Sequence, residues 1–265
     1  MSLRSKTAVA LCAVVAVLVS ALAIVFARSS LSELRSIEEM NLADDAERTG
    51  RQIDTLLAGL SQTTADWAYW DESHQFVLDG NEDFTEENLS SEALGLISVD
   101  LAAFVSTEGT IRYGIWTVDE TSGPLPETIQ AAVQPGGRLT TLPPDVGDDT
   151  ASRGSLVGIE LVGERMMLLS VRESRSFTDP AAPGAGILVM GQEITSDEVD
   201  SISGLVGREI EITPCVESAC ASFAIAKSER TSGTISRVQI VDGLDGEPAV
   251  AVRVTSDRAL SIATG

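Results

Sequence analysis

The sequence predicts an α+β protein in which a long helix leads into a mostly antiparallel sheet. Three observations indicate this class: an uncharged apolar run near the N-terminus, a helical heptad pattern after it, and short β-rich runs separated by turn residues over the rest of the chain. A long helix followed by helices and strands that are joined mainly by hairpins is typical of α+β proteins.

The first element is an uncharged apolar run over residues 7–27. A helix of this length, at about 1.5 Å per residue, spans roughly 30 Å and can cross the hydrocarbon core of a membrane. Arg4 and Lys6 precede the run, so the N-terminus should stay cytoplasmic and the remainder should be exported. A cleaved signal peptide is the alternative, because small-residue motifs near the end of the run resemble cleavage sites. Its length favours a retained anchor, which we expect to comprise residues 1–28.

The charge of the chain is strongly acidic. It contains 40 Asp and Glu residues against 18 Lys and Arg residues, which gives a formal net charge of -22 at pH 7. All of the acidic residues follow the apolar run. Such a surface repels nucleic acid and anionic lipid, so we expect no nucleic-acid partner.

A long helix is predicted over residues 29–64. Within it and just beyond it, residues recur at alternating steps of four and three, the heptad pattern of a packing seam. These residues are Ala46, Gly50, Ile53, Leu57, Leu60, Thr64 and Trp67. The seam fits packing on the helix's own domain as well as a homodimer contact through this membrane-proximal helix, and both alternatives stay open.

An aromatic–acidic segment, running from Asp66 to Asp71, follows the seam. It holds two of the three Trp residues of a chain in which aromatic residues make up only 4%. If the helix continues, Trp67, Trp70, Asp71 and His74 are spaced to share one face. Rings and carboxylates so placed suit either a packed core or the wall of a small-ligand pocket, and the acids suit either ligand contact or bonds to backbone amides.

Hydrophobic periodicity and turn residues predict the remaining elements in order. These are a short helix over 85–93, a strand pair over 96–106 and 110–118, a helix over 125–134, a long loop over 134–155, strands over 156–162, 165–173 and 185–194, a helix over 196–205, and β-rich runs over 209–213, 222–226, 234–241 and 249–255.

Two cysteines, Cys215 and Cys220, lie close together in the exported part. In an oxidising compartment this spacing predicts a disulfide that closes a hairpin between residues 209–213 and 222–226. So small a ring contributes about 2 kcal/mol to stability. A metal site is the weaker alternative, since no other cysteine or nearby histidine completes a ligand set.

The aromatic–acidic segment, followed by Phe76, Asn88 and the strand pair around Gly109, resembles the CHASE-type extracytoplasmic sensory domain of the fourth type. The similarity extends through residues 186–191 to Arg258. This family comprises input domains of prokaryotic membrane receptors, chiefly histidine kinases and cyclic-di-GMP enzymes. By analogy with other receptor input domains, the sheet should be PAS-like.

The resemblance also suggests a domain division. The sensory domain should extend over residues 29–258, and a membrane-proximal second part from about residue 195 is an alternative. Residues 259–265 would lead toward the second transmembrane helix that such receptors normally carry. The printed sequence ends before such a helix and output domain, so we expect either a fragment of a longer receptor or a stand-alone anchored sensor.

The function implied is a ligand-sensing input module of a membrane receptor, with the bulk of the chain periplasmic or extracellular. Its candidate contacts to an unknown small molecule are Asp66, Trp67, Trp70, Asp71 and Asn88. An anchored envelope scaffold or binding protein with no signalling role is the alternative. The chain has one histidine, no Ser/His/Asp order and no Gly-rich phosphate loop, so we expect no enzyme, no metal and no cofactor.

The topology is directly testable. We expect Ser29 to Gly265 to lie outside the cytoplasmic membrane, so alkaline phosphatase fused after Gly265 should be active and a cytoplasm-specific fluorescent reporter fused there should be dark. The opposite pattern would show that the bulk of the chain stays inside. Mass analysis of the mature N-terminus distinguishes the anchor, which retains residues 1–27, from a cleaved signal peptide.

Overall fold

The structure is a computed structural model that describes residues 3–143, 154–215, 220, 228–231 and 233–257. Helix α1 runs without interruption from Leu3 to Ala68, so it joins the apolar run to the predicted helix over residues 29–64 and confirms that helix. At about 1.5 Å per residue it is roughly 100 Å long. Its N-terminal part is long and apolar enough to cross a membrane.

The other elements follow in two groups. The first comprises α2 (Asp71–Asp79), α3 (Glu82–Asn88), α4 (Ser91–Leu96), β1 (Leu101–Ser106), β2 (Ile111–Val118), β3 (Thr121–Gly123), α5 (Glu127–Ala132), β4 (Ser155–Val162), β5 (Arg165–Ser174) and β6 (Gly186–Glu193). The second comprises α6 (Ser196–Val206), β7 (Glu209–Pro214), β8 (Ser228–Arg230), β9 (Thr234–Asp242) and β10 (Pro248–Asp257).

The first sheet has the strand order β3-β2-β1-β6-β5-β4, with every pairing antiparallel. Central strand β1 is buried on both faces, because Ala102 and Phe104 enter the core beneath α1 while Leu101, Ala103 and Val105 enter a second core on the side of α5. Side chains alternate across a strand, so this sheet separates two apolar layers.

The second sheet has the strand order β7-β10-β9-β8 and is also antiparallel. It packs on α1 nearer the apolar run than the first sheet does. Arg208 Nε lies 2.7 Å from the buried Asp45 carboxylate, and Arg230 Nη2 lies 2.8 Å from Glu39. Helix α6 connects the two sheets, and the division of the chain into two parts at about residue 195 stays a prediction.

The predicted seam on α1 packs within its own domain. Ala46, Ile53, Leu60 and Thr64 are all buried, with exposed fractions between 0% and 4%. They face the sheets because one stripe of the helix supplies the apolar cover that both sheets need. The seam therefore does not provide a homodimer contact at these positions.

Several predicted elements differ from the structure. The single helix over residues 85–93 is wrong, because α3 ends at Asn88 and Ser90 Oγ accepts the Ala93 amide to cap a separate helix, α4. The first strand begins later than predicted, because α4 extends to Leu96 and β1 begins only at Leu101. The short strands β3 and β8 were not predicted. The β-rich run over 222–226 and residues 144–153 of the loop over 134–155 lie outside the described residues.

The disulfide between Cys215 and Cys220 is present, with a Cα–Cα distance of 5.2 Å. It packs against Val238, Ala251 and the half-buried Ile240 on one face of the second sheet. Its cysteines are 5 residues apart, so the bond closes a small ring directly after the paired strand β7 rather than joining distant parts of the chain.

The disulfide should therefore contribute modestly to stability. Replacing both cysteines by serine should lower the free energy of unfolding by about 2 kcal/mol, because only a short loop loses its constraint in the unfolded state. Chemical denaturation monitored by circular dichroism measures the change, with the oxidised parent protein as control. Complete loss of folded signal in the double variant would show that the bond has a larger role.

Candidate functional site

The aromatic–acidic segment turns a corner between two helices. Helix α1 ends at Ala68, Trp70 adopts an extended conformation with φ -76° and ψ 124°, and α2 begins at Asp71. The predicted shared face of Trp67, Trp70, Asp71 and His74 on one continuous helix is therefore wrong. The break at Trp70 places Asp71 at the first position of α2, from which its carboxylate binds a distant part of the chain.

Its aromatic rings join a cluster between the helices and the first sheet. Trp67 and Trp70 meet edge to face at 5.8 Å between ring centroids, and Trp70 lies 5.4 Å from Phe84. Phe76 stacks on Phe84 at 4.8 Å and meets Phe104 of β1 edge to face at 5.4 Å. Both tryptophans are only half-buried. The rings thus fasten α1, α2 and α3 to the sheet through contacts that aromatic pairs favour.

Asp71 binds the exit segment, the name we give to the last residue of β5 and the four residues after it (residues 174–178). Its Oδ1 accepts hydrogen bonds from Ser176 Oγ at 2.7 Å, from the Phe177 amide at 2.8 Å and from the Thr178 amide at 3.2 Å. The hydrogen bond from Ser176, with smaller help from the two amides, lowers the pKa of Asp71. The carboxylate therefore stays ionised at neutral pH and holds the exit segment.

Two further contacts hold the same segment. The Arg175 amide donates to the Ala68 carbonyl at the end of α1, at 3.0 Å. Nδ1 of His74 lies 3.3 Å from the Ser174 carbonyl oxygen. The end of α1 and the start of α2 thus fix the exit segment at three places, through Ala68, Asp71 and His74.

The other two candidate residues bond within their own helices. Asp66 is exposed and accepts a hydrogen bond from Gln62 at 2.8 Å, one turn earlier on α1. Asn88 donates to the Phe84 carbonyl of α3 at 3.2 Å. The structure thus brings Trp67 and Trp70 together beside Asp71, while these contacts tie Asp66 and Asn88 to separate helices.

A cleft of about 580 Å³ opens on the face of the first sheet that is turned away from α1. Its charged lining is an ion pair, with Arg175 Nη2 2.6 Å from Glu173 Oε2, and both side chains are about one-third exposed. Thr107 and Thr140 add polar groups. The remaining lining is mainly apolar or glycine and includes Val133, Leu142, Pro135, Pro143, Ile187, Gly109 and Gly186. A volume of this size, with both polar and apolar groups in its lining, is within the range of small-molecule sites.

Sequence reasoning missed this cleft. Its walls come from the β1–β2 turn, the stretch after α5, the end of β5 and the start of β6, which lie far apart in the chain. No local spacing connects them. The sequence indicates the cleft only indirectly, through the glycines at positions 109 and 186. In the structure these two residues adopt positive φ angles of 83° and 151°, and the backbone there lies close to its neighbours.

Comparison with known proteins identifies the family of this chain. A family model described as the CHASE4 domain matches residues 53–213. The chain is also 22% identical over 241 residues to the methanogenesis regulatory histidine kinase FilI of Methanothrix harundinacea (strain 6Ac). That alignment covers 87% of this chain and 26% of FilI, so the chain spans about a quarter of that relative's length.

Two solved structures share the fold. The extracellular domain of the histidine kinase vpHK1S-Z8 has a TM-score of 0.52 at 12% identity, covering 85% of this chain and 96% of that domain. The periplasmic domain of Vibrio cholerae LuxQ has a TM-score of 0.54 at 10% identity, covering 82% of this chain and 99% of that domain. At these identities the likeness concerns the fold alone, and it confirms the expected long helix and antiparallel sheet.

The CHASE4 match covers more than half of the chain, including the aromatic–acidic segment, the whole first sheet and the described walls of the cleft. The resemblance expected from the aromatic–acidic segment is confirmed. This chain belongs to the CHASE4 domain family.

Proposed function

We propose that the chain senses a small molecule in the cleft and transmits its presence toward the membrane through α1. The chain is an extracytoplasmic ligand-sensing input module, as its CHASE4 domain and its relationship to a histidine kinase indicate. One observation supports the transmission step above all others. Helix α1 is a single uninterrupted element that begins in the apolar run and ends within the core of the first sheet.

The proposed topology has one N-terminal anchor with the bulk of the chain periplasmic or extracellular. Among the described residues, one helix is long and apolar enough to span a membrane, and its apolar stretch lies near the N-terminus. Arg4 and Lys6 on its N-terminal side favour a cytoplasmic N-terminus. The second sheet then lies between the membrane and the first sheet, which carries the cleft.

We assign the output to a histidine kinase rather than to a cyclic-di-GMP enzyme. FilI is a histidine kinase, and its alignment with this chain accounts for only a quarter of its own length. A longer receptor would supply the kinase, and we propose no catalytic role for the present chain.

The cleft is the better supported ligand site. It offers an ion pair, hydroxyl groups and an apolar lining around a volume that fits a small molecule. In the aromatic–acidic segment, Asp71 Oδ1 is already occupied by three donors, and the two tryptophans pack on each other and on Phe84. Direct ligand contact by that segment stays a prediction, and the segment serves the cleft by holding its wall.

A homodimer is also proposed, through exposed apolar residues of α1 that follow the apolar run. Leu34, Ile37 and Met40 are 45%, 48% and 57% exposed there and recur at steps of three. Such a stripe on a helix that leaves its own domain suits pairing with the same helix of a second copy.

The ligand site can be tested with a thermal-shift screen of the full chain in nanodiscs, using small organic acids, amines and amino acids. For a verified ligand, Arg175→Gln should weaken binding about ten-fold or more, since a hydrogen bond to a charged group contributes roughly 1.5–3 kcal/mol. Arg51→Gln is the matched control, because Arg51 is an exposed arginine on α1 that pairs only locally with Glu47.

The same ligand decides between the two candidate sites. Unchanged affinity in Arg175→Gln, together with weakened affinity in both Asp71→Asn and Trp70→Phe, would move the site to the aromatic–acidic segment. If Asp71 only holds the exit segment, Asp71→Asn should lower the melting temperature while ligand affinity, measured on folded protein, changes little.

A further inference from the structure

Strand β5 presents different chemistry on its two faces near its C-terminal end. On the side away from α1, Glu173 near the end of β5 and Arg175 just after the strand line the cleft. On the side toward α1, the alternating residues Ser170, Arg172 and Ser174 form a fully buried polar row. This end of β5 therefore contacts both the cleft and α1, which are the two sites that a sensor must connect.

Arg172 makes the contact to α1. Its side chain is 2% exposed, with Nη2 donating to Ser61 Oγ at 2.8 Å and Nε donating to the Ser61 carbonyl at 3.3 Å. Nη1 has no hydrogen-bond partner among the described residues, and no described carboxylate forms an ion pair with the guanidinium. A buried cation without a counter-ion is costly, and an apolar side chain of similar size would hold two packed elements together better.

The surroundings of Arg172 leave further bonding capacity unused. The hydroxyl groups of Ser170 and Ser174, two residues to either side on the same face, are buried and lack partners within the described part of the chain. The interface between α1 and β5 thus contains more polar groups than its present contacts satisfy. Packed interfaces that switch have two discrete arrangements, and unused donors and acceptors permit a second set of bonds.

The exit segment beyond Arg172 is fixed. Ala68 and Asp71 hold it by the hydrogen bonds described above, and Ser61 lies seven residues, or about two helical turns, before Ala68. Because these hydrogen bonds hold the exit segment, a movement of Glu173 or Arg175 in the cleft is not absorbed by a flexible chain end. It must instead change the contact of the intervening Arg172 with α1.

We infer that Arg172 is the positioning residue that couples the cleft to α1, with its bonds to Ser61 marking one of two arrangements of the α1–β5 contact. This inference rests on the proposed function in one respect, namely that the cleft is the sensing site. The coupling itself is a property of the unliganded protein, because an energetic link between two sites acts equally in both directions.

Reciprocity permits a test without a ligand. Hydrogen–deuterium exchange is measured on the full chain in nanodiscs for the parent protein and for Arg172→Met and Ser61→Ala. Arg172→Met removes both hydrogen bonds to Ser61, whereas Ser61→Ala removes the one to Ser61 Oγ and keeps the one to the Ser61 carbonyl. Exchange in residues 133–143, which border the cleft on the opposite side, should change by roughly five-fold or more, the lower end of typical coupling between sites.

Thr64→Val is the matched control. Thr64 is as deeply buried on α1, but its hydroxyl bonds to the Leu60 carbonyl of its own helix rather than to β5. It should leave residues 133–143 unchanged. The melting temperature of Arg172→Met should equal or exceed that of the parent, and if this variant does not fold, Ser61→Ala carries the test.

Two outcomes overturn the inference. Exchange that changes only in α1 and β5, with residues 133–143 unaffected in both variants, would make Arg172 a structural residue. An equal change at residues 133–143 in Thr64→Val would show a general response to repacking. If exchange at residues 133–143 changes in both variants but the thermal-shift screen finds no ligand, the coupling inference stands. That result counts only against the proposed ligand site.

Discussion

The packing of both sheets on one helix is the constraint on which the rest of this structure depends. Leu42, Ile53 and Leu60 of α1 share a single apolar cluster with Phe104 of the first sheet and Val252 of the second. Neither sheet can bury its inner face without α1, because a sheet needs a second layer to cover its apolar side. Any shift or rotation of α1 therefore affects both sheets together, and the same helix continues into the apolar run.

The contact of Arg172 on β5 with α1 is polar, unlike most of the packing on this helix. Most of the α1 stripe is aliphatic, whereas Arg172 is a buried cation bonded to Ser61. Apolar packing is favourable over a range of small displacements, but hydrogen bonds are directional and are either made or lost. Together with the Arg208–Asp45 bond at the second sheet, the polar row is therefore a part of the α1 interface whose bonds can distinguish two positions of α1. Asp71 holds the neighbouring exit segment in place, so local movement of that segment does not absorb a change in the polar row.

The structural role of the aromatic–acidic segment follows from this arrangement. Its tryptophans fasten the end of α1 to the helices above the sheet, and its second carboxylate holds the exit segment whose first residues adjoin the cleft. The segment and the cleft lie on opposite sides of β5 yet share Arg175, whose amide bonds to α1 and whose side chain lines the cleft. One strand end thus connects the feature that identifies the family with the feature that can hold a ligand.

The sequence by itself determined the elements whose signals are local. The apolar run, the stripe from Ala46 to Thr64, the β4–β5 hairpin and the Cys215–Cys220 bond all depend on residues that are close along the chain, so periodicity and spacing predicted them. The tertiary structure alone revealed the helix break at Trp70, the cleft and the burial of Arg172 against Ser61. Asp71 meets its partner 105 residues later, and Arg172 meets Ser61 across 111 residues. Such contacts follow from how sheets and helices pack, and no pattern of neighbouring residues encodes them.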